Sequence, residues 1–398
     1  MKLPLLPVVS VLFCSSSLLL TACGPAAATD PLPFEPASAT SVPDPGKMGP
    51  FQVGVRTIEI FDSGRPKPDG SPRRLLTEVW YPATQDSAGQ PTATYDPREY
   101  LTPEQVAMAG ASVPVLNTRA VRDANVATGH GTFPLIVFSH GQAAMRWQST
   151  YYTVLLASHG YIVVSTDHEG GTLADVVRGT LQNVLVGIET RPADVRYLMS
   201  WFSRLKSTDP LAQVIDPSRI GVTGHSFGAL TSLRVAALDD RVAAIVPQAP
   251  YDATTIWADL PQPVVLHIPV EVQGAHQDHT LPWNPHVADT WSALQHPRWL
   301  VDISTGGHFT FSDLCGFDLA GLATKVAISV PGIDIADVLS DGCGPTAPPA
   351  AVAQPMIDHF AVGFFNATLR GSTGSYALLD QAHADQIGAG VAVVTADP

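Results

Sequence analysis

The chain has 398 residues, of which 45% are hydrophobic, and a formal net charge of −14 at pH 7. Behind a non-globular start, this length suffices for one large α/β domain or two small ones with a sizeable core. The negative charge and the absence of any Lys/Arg cluster in the sequence argue against nucleic acid as a partner and against electrostatic attachment to anionic lipid.

Residues 1–22 are typical of a signal peptide. Lys2 precedes the apolar run Val8–Leu20, which is too short for a stable membrane span. The next residues, Thr21–Cys23, complete a Leu-Thr-Ala-Cys sequence that resembles the lipobox of bacterial lipoproteins. The resemblance implies cleavage before Cys23 and acylation of that residue, which would give a stable membrane anchor. The alternative is an ordinary signal peptide followed by a chance cysteine.

Residues 23–50 are predicted to form a tether. Gly24–Pro50 carries seven prolines among Ala, Ser, Thr and Asp, with almost no large apolar side chain. Such a segment cannot bury enough surface to fold, and its prolines keep it extended. We therefore expect residues 51–398 to contain the folded part, as a single domain.

Within residues 51–398, predicted strands and helices follow one another along the chain. The strands are predicted at Phe51–Phe61, Leu75–Tyr81, Pro134–Ser139, Tyr161–Thr166, Arg219–Thr223, Ala243–Pro247, Pro269–Gln273 and Arg298–Ile303. The helices are predicted at Pro103–Ala109, Trp147–Ser158, Arg191–Leu205, Phe227–Leu238 and Ala351–Leu369. The first strand is expected at a sheet edge beside the second, and residues 85–131 are expected to be mostly loop. This alternation predicts a doubly wound, mostly parallel sheet flanked by helices.

The cysteine content predicts one disulfide. Cys14 falls in the signal peptide and Cys23 would be acylated, which leaves Cys315 and Cys343 as an even pair in an oxidising compartment. A bond between them would close a long loop and stabilise the fold by roughly 3–4 kcal/mol. Two cysteines without a nearby histidine pair do not make a zinc site, so no metal ion or cofactor is expected.

Residues Gly224–Gly228 read Gly-His-Ser-Phe-Gly and match the G-x-S-x-G pattern of a nucleophile elbow. A strand is predicted before the motif and a helix after it. In such an elbow the serine occupies a strained turn, and its glycines allow close approach of the backbone. The helix N-terminus favours negative charge that develops beside the serine. The motif therefore predicts Ser226 as a nucleophile; the alternative is a Gly-rich turn with an incidental serine.

A serine nucleophile needs a base, and the base needs an orienting carboxylate. In a doubly wound sheet both should follow strands downstream of the serine, with the acid first. His308 follows the strand Arg298–Ile303 in a loop with two glycines, and it is predicted to be the base. His225 adjoins the serine but lies on the wrong side of the elbow for this role.

Asp278 is predicted to be the orienting acid. It follows the strand Pro269–Gln273 and Gly274, although the spacing has one residue more than is usual for the acid of such a triad. Two rivals remain open. Asp252 follows the preceding strand, and Glu271 lies within its own strand, where a structural role is expected.

An oxyanion hole needs two backbone donors aimed at the developing charge. The N–H of Phe227, directly after the serine, is one candidate. The other is the N–H of Gln142, in the His140–Gln142 loop that follows the strand Pro134–Ser139. The alternative for this loop is a plain turn.

Several stretches together resemble the α/β-hydrolase superfamily, and within it the group of platelet-activating-factor acetylhydrolases and dienelactone-hydrolase-like proteins, to which cutinases are related. These stretches are Val79–Pro82, Pro134–Gly141, Leu156–Val164, Gly224–Gly228 and Gly307–Phe309. The resemblance extends over about residues 51–369. It implies the α/β-hydrolase fold and a metal-independent serine hydrolase that cleaves carboxylic esters through an acyl-enzyme.

The expected substrates are short-chain acyl esters, including oxidised or short-chain phospholipids, and a polyester or xenobiotic ester is second. Aromatic residues that could line the site, or simply pack the core, are Trp147, Tyr151, Trp257, Trp283 and Phe309. A non-catalytic envelope lipoprotein, a peptidase and an acyltransferase stay open, because the fold alone does not choose among them. We expect a monomer in the bacterial envelope, lipid-anchored at the outer membrane or the periplasmic face, or secreted.

Overall fold

The computed structural model describes residues 42–67, 69–111, 113–328 and 335–398. Within these residues the chain forms eleven strands. They are β1 Gln52–Asp62, β2 Arg73–Ala83, β3 Thr92–Tyr95, β4 Leu116–Arg122, β5 Phe133–Ser139, β6 Ile162–Thr166, β7 Ile215–His225, β8 Val242–Gln248, β9 Val270–Ala275, β10 Arg298–Ile303 and β11 Ala392–Asp397. All eleven belong to one sheet, in the order β11-β10-β9-β8-β7-β5-β6-β2-β1-β4-β3.

Eleven α-helices accompany the sheet in the same described ranges. They are α1 Pro103–Ala109, α2 Thr150–Ser158, α3 Leu173–Arg178, α4 Val184–Phe202, α5 Phe227–Leu238, α6 Ala253–Ile256, α7 Trp283–Ala293, α8 Leu319–Lys325, α9 Ile335–Ser340, α10 Ala350–Leu369 and α11 Gln381–Gly388. Helices α2 and α10 pack in one hydrophobic cluster, whereas α4, α5 and α7 pack in the other. The buried strands contribute side chains to both clusters, because successive residues of a strand point to opposite faces of the sheet.

The centre of the sheet is parallel, as the sequence predicts. Six neighbouring strands, β6, β5, β7, β8, β9 and β10, run in the same direction. Strands β5 and β6 are buried along their whole length, which explains their continuous apolar sequences. The doubly wound, helix-flanked sheet confirms the predicted α/β-hydrolase fold.

The structure differs from the predicted elements at the margins of the sheet. Strand β1 pairs with β2 as expected, but it is not an edge strand, because β4 pairs with its other side and β3 lies beyond. Both β3 and β4 lie in the segment that we expected to be loop. Strand β4 reads Leu-Asn-Thr-Arg-Ala-Val-Arg and is mostly half-exposed, so its apolar pattern is weak. Strand β11, which pairs antiparallel with β10, was likewise not predicted.

The packed chain begins before Phe51. The carbonyl of Lys47 lies 2.8 Å from Nε2 of His159, and Gly49 donates its backbone N–H to the Ser158 hydroxyl. Part of the predicted tether, including Lys47 and Gly49, therefore contacts the domain. The predicted signal peptide, Cys23 and the rest of the tether lie outside the described residues. In the part of the chain that is described, no helix has both the length and the apolar character needed to cross a membrane.

Candidate active site

The turn from β7 into α5 has the geometry of a nucleophile elbow. Ser226 has φ 57° and ψ −117°, a left-handed conformation that is strained for a residue with a side chain. The surroundings leave no room for larger neighbours. A Cβ on Gly228 would lie 1.8 Å from the carbonyl oxygen of Ser139, and one on Gly224 would lie 2.4 Å from the same atom. The two motif glycines are therefore required by close packing against the end of β5.

Strand register brings the candidate residues to one edge of the sheet. Ser139 at the end of β5 pairs with Gly224 of β7, so the loop after β5 starts beside the elbow. Ala275 at the end of β9 pairs with Ile303 at the end of β10, so the loops that carry Asp278 and His308 start side by side. Parallel strands end at a common edge, where such folds place their sites.

Ser226, His308 and Asp278 form one hydrogen-bonded chain. The Ser226 hydroxyl lies 2.9 Å from Nε2 of His308, and Nδ1 of His308 lies 2.7 Å from Oδ2 of Asp278. The other carboxylate oxygen of Asp278 accepts the backbone N–H of Leu281 at 2.6 Å. His308 and Asp278 are buried, whereas Ser226 is half-buried. The structure thus brings together the three side chains that the sequence singled out.

The two rival carboxylates are engaged elsewhere. Asp252 caps α6 and accepts the backbone N–H and hydroxyl groups of Thr254 and Thr255. Glu271 lies within β9, is fully buried, and accepts a hydrogen bond from Gln273 at 2.8 Å. Burial raises the pKa of Glu271 from 4.5 to about 8. None of these hydrogen bonds of Asp252 and Glu271 goes to the ring of His308.

The raised pKa of Glu271 predicts a pH-dependent contribution to stability. Above pH 4.5 the unfolded chain loses this proton, whereas the folded chain retains it up to about pH 8. The free energy of unfolding should therefore fall with rising pH in this window, by up to about 1.4 kcal/mol per pH unit from this group. Glu271→Gln should remove that slope in urea unfolding at pH 5, 6, 7 and 8.

The matched control is Glu59→Gln, because the side chain of Glu59 is about half exposed. Its unfolding free energy should follow that of the wild type at each pH. A constant offset between Glu271→Gln and the wild type from pH 5 to pH 8 would contradict the prediction.

The loop after β5 lies directly against the elbow. A Cβ on Gly141 would stand 3.6 Å from Cβ of Ser226. Gly141 donates its N–H to the side chain of Gln148, and the neighbouring Ala143 has φ 61° and donates to the carbonyl of Gly171. The N–H of Phe227 belongs to the first turn of α5, where helix N–H groups have no intrahelical acceptor. Of the two predicted oxyanion residues, Phe227 directly follows Ser226, and Gln142 directly follows Gly141, which packs against Ser226.

His225 links this loop to the histidine loop. Its Nδ1 lies 2.8 Å from the side-chain nitrogen of Gln148, and its Nε2 lies 2.8 Å from the backbone carbonyl of His308. Burial and the neighbouring His308 hold the pKa of His225 well below its usual value. A neutral ring protonated on Nε2 satisfies both contacts. The interpretation that His225 is not the base is consistent with this geometry.

Asp341 is a further carboxylate at this site, and no sequence motif singles it out. Its Oδ1 accepts the backbone N–H of His308 at 3.0 Å. Its Oδ2 accepts the backbone N–H groups of His279 and Thr280 at 2.9 and 2.8 Å, and also the Thr280 hydroxyl. Burial opposes ionisation, but these hydrogen bonds outweigh it and hold the pKa of Asp341 below its usual value. One carboxylate thus joins the loop of the predicted base to the loop of the predicted acid.

The predicted disulfide is present. Cys315 is bonded to Cys343, across a sequence separation of 28 residues. Cys343 lies two residues beyond Asp341, and Cys315 lies seven beyond His308. The bond therefore ties the segment that supplies Asp341 to the chain that leaves the histidine loop.

A second Ser-His-Asp set lies beneath the β5 loop. The Ser139 hydroxyl is 3.0 Å from Nε2 of His168, whose Nδ1 is 2.9 Å from Oδ2 of Asp194. Arg73 donates to both oxygens of Asp194. The three residues of this set are each only 0–1% exposed, so a substrate cannot reach Ser139 unless the protein unfolds. We interpret this set as a structural network.

Only some of the predicted aromatic residues can line the site. Trp147 and Trp257 are buried at 1% and 3% exposure, where Trp147 stacks on Tyr95 and Trp257 donates to a backbone carbonyl. Phe309, by contrast, is half-buried, and its ring stands edge-on to the His308 ring at 5.4 Å. Phe309 therefore lies beside the predicted base and is exposed enough to meet a substrate.

Comparison with known protein families agrees with this geometry. The family described as PET hydrolase-like matches residues 124–322, which is half of the chain and includes Ser226, Asp278 and His308. A second family, described as platelet-activating factor acetylhydrolase, isoform II, matches residues 39–175. The second match covers β1, β2, β5 and the loop after β5.

Individual relatives carry esterase names. A protein of Arthroderma benhamiae named "Probable 1-alkyl-2-acetylglycerophosphocholine esterase" is 28% identical over 75% of this chain and 84% of its own length. A bis(hydroxyethyl) terephthalate hydrolase of Streptomyces coelicolor is 24% identical over 46% of this chain and about half, 53%, of its own length. A solved ferulic acid esterase from Streptomyces cinnamoneus shares the fold, with a TM-score of 0.62 and 24% identity over 87% of this chain and 97% of its own. The chain belongs to the PET hydrolase-like family and is an ester hydrolase with the α/β-hydrolase fold.

Proposed function

We propose that Ser226 is the nucleophile of a serine esterase, with His308 as its base and Asp278 as the orienting acid. The observation that carries this proposal is the hydrogen-bonded chain from the Ser226 hydroxyl through both nitrogens of His308 to Asp278. A serine hydroxyl becomes a useful nucleophile when a base in hydrogen-bond contact takes its proton. The carboxylate fixes the tautomer of the base and stabilises the imidazolium that forms.

Catalysis then proceeds in two stages. The Ser226 oxygen attacks the ester carbonyl while Nε2 of His308 takes the hydroxyl proton. The backbone N–H groups of Gln142 and Phe227 stabilise the oxyanion, as preorganised donors do in related acyl transfers. His308 returns the proton to the leaving alcohol, which leaves an acyl group on Ser226. Water, activated by His308, attacks this acyl-enzyme and releases the acid.

The proposed substrates are short-chain acyl esters, including short-chain or oxidised phospholipids. Support comes from the relative named as an acetylglycerophosphocholine esterase, 84% of whose length is matched, and from the match to the acetylhydrolase family. An ester of an aromatic acid or a polyester is the second candidate. It is favoured by membership of the PET hydrolase-like family and by the half-buried ring of Phe309 beside His308.

A panel of esters tests the substrate class. We expect kcat/KM of the purified protein to be highest for p-nitrophenyl acetate or butyrate and to fall roughly tenfold or more at the octanoate, because a pocket shaped for a short chain excludes extra methylenes. Phosphatidylcholine with an sn-2 acetyl group should be hydrolysed as well. A kcat/KM that rises through the octanoate would contradict a short acyl site. Faster turnover of bis(hydroxyethyl) terephthalate than of any acyl ester would favour the second candidate.

The cellular setting is also a proposal. The lipobox-like sequence that ends at Cys23 supports acylation of that residue and attachment to a membrane of the bacterial envelope. Such an anchor would hold the hydrolase near lipid esters, which agrees with the first substrate class. The monomeric state remains a prediction.

A further inference from the structure

Arg191, in the first half of α4, holds the loop that is proposed to supply an oxyanion donor. Its side chain is buried, with 1% of the residue exposed. One terminal nitrogen donates to the carbonyl of His140 at 2.7 Å. The other donates to the side-chain oxygen of Gln142 at 2.7 Å and to the carbonyl of Gly171 at 3.0 Å, with a longer contact of 3.5 Å to the carbonyl of Gly141. A planar guanidinium can make such a forked set of contacts, which an ammonium group cannot reproduce.

The same guanidinium also packs on the residue that supplies the other donor. Its central carbon lies 4.4 Å from the centroid of the Phe227 ring. A cation over an aromatic face is attracted by the ring electrons, more strongly when both are away from water. Arg191 therefore contacts both Gln142 and Phe227, which belong to segments 85 residues apart in the sequence.

Arg191 makes no direct ion pair with these partners, because all four oxygens that it contacts are neutral. Burial lowers the pKa of Arg191 to about 9, so the group stays protonated at neutral pH. The carboxylates of Asp194 and Asp175 favour the charged form from beyond these direct contacts. The arrangement holds a positive charge next to Gln142 and Phe227, the two residues that are proposed to bind the oxyanion.

We propose that Arg191 is the positioning residue of the oxyanion hole. It fixes the His140–Gln142 loop against Phe227, so that the two amides converge on the same oxygen, and its charge adds to their field. This inference rests on the proposed function of Ser226. The contribution is made mainly in the transition state, and such an interaction changes kcat rather than KM.

Arg191→Lys keeps a charge at this position but loses the forked contacts. We expect kcat per active site to fall about 100-fold, comparable to the loss of one oxyanion donor, with little change in KM. The inhibition constant of a trifluoromethyl ketone, whose adduct with serine carries an oxyanion, should rise by a similar factor. A structural role alone would lower the number of active sites or the melting temperature, but not kcat per active site.

Active sites are counted with diethyl p-nitrophenyl phosphate. The Ser226 oxygen forms a bond to phosphorus, the bond to p-nitrophenolate breaks, and His308 takes the serine proton. Released p-nitrophenolate and the intact mass of the labelled protein both report the fraction of active sites.

Phe227→Leu serves as a second variant, because it keeps the backbone donor but removes the ring under Arg191. Its kcat should fall and its inhibition constant should rise, each by a smaller factor than in Arg191→Lys.

Arg370→Lys is the matched control. Arg370 is also buried, donates to the carbonyl of Gly160 and lies over the ring of Tyr161, but these contacts are at the opposite end of β6 from the site. Its kcat per active site should match the wild type. If Arg191→Lys and Phe227→Leu both keep the wild-type kcat per active site and the wild-type inhibition constant, the role of Arg191 is overturned while the esterase assignment stands. A wild-type protein that is not labelled at Ser226 would overturn both.

Discussion

Replacing Ser226 with alanine is expected to reduce kcat for ester hydrolysis by about 10⁵-fold or more, because loss of the nucleophile disables the whole catalytic set. The hydroxyl is the atom within 2.9 Å of Nε2 of His308, and no other group at the elbow could form the acyl-enzyme. Alanine is smaller than serine and can occupy the same strained turn, so the fold should persist. The measurement is p-nitrophenyl acetate hydrolysis by the wild type and the variant at equal concentrations of folded protein, with circular dichroism as the check on folding.

The matched control is Ser139→Ala. Ser139 also faces a histidine that is paired with an aspartate, but it is buried. Removing its hydroxyl leaves Nε2 of His168 without that partner, which should cost about 1–3 kcal/mol of stability. Folded Ser139→Ala should retain most of the wild-type activity. If Ser226→Ala stays active and Ser139→Ala does not, the nucleophile has been assigned to the wrong set.

Ser226 and His308 could be predicted because each depends on local sequence. The elbow needs glycine on both sides of the serine, where close contact with the end of β5 forbids a side chain. His308 follows a strand with a strong apolar pattern, and the two glycines before it permit the tight loop. The central strands were likewise predictable, because strands buried on both faces have continuous apolar sequences.

Asp341 and Arg191 could not be predicted, because their roles depend on tertiary contacts. Asp341 is more than 60 residues from Thr280 and 33 from His308, and its hydrogen bonds go to backbone groups, which impose no residue pattern. Arg191 belongs to an amphipathic helix in which an arginine is ordinarily taken as solvent-exposed. The marginal strand β4 was missed for a related reason: its half-exposed position allows polar residues that also suit a loop.

Replacing Asp278 with asparagine is expected to reduce kcat about 10⁴-fold, the size of effect seen when a triad acid loses its charge but keeps its shape. The two oxygens of Asp278 accept from the backbone N–H of Leu281 and from Nδ1 of His308. An asparagine has only one acceptor atom. If its oxygen faces Leu281, its NH₂ faces Nδ1 of His308 and favours the tautomer that is protonated on Nε2, which cannot take the proton of Ser226. If the amide is reversed, two donors face each other at Leu281.

Asp252→Asn separates the two candidate acids. Asparagine is as good a helix N-cap as aspartate, so α6 should keep its start and the protein its stability. Because the carboxylate of Asp252 is engaged by Thr254 and Thr255, the kcat of this variant should stay close to the wild type. The two asparagine variants, assayed side by side on p-nitrophenyl acetate, should therefore differ by about four orders of magnitude. If Asp252→Asn lost much more kcat than Asp278→Asn, the orienting acid would be Asp252, which follows strand β8. His308 would then have to turn away from Asp278 during catalysis.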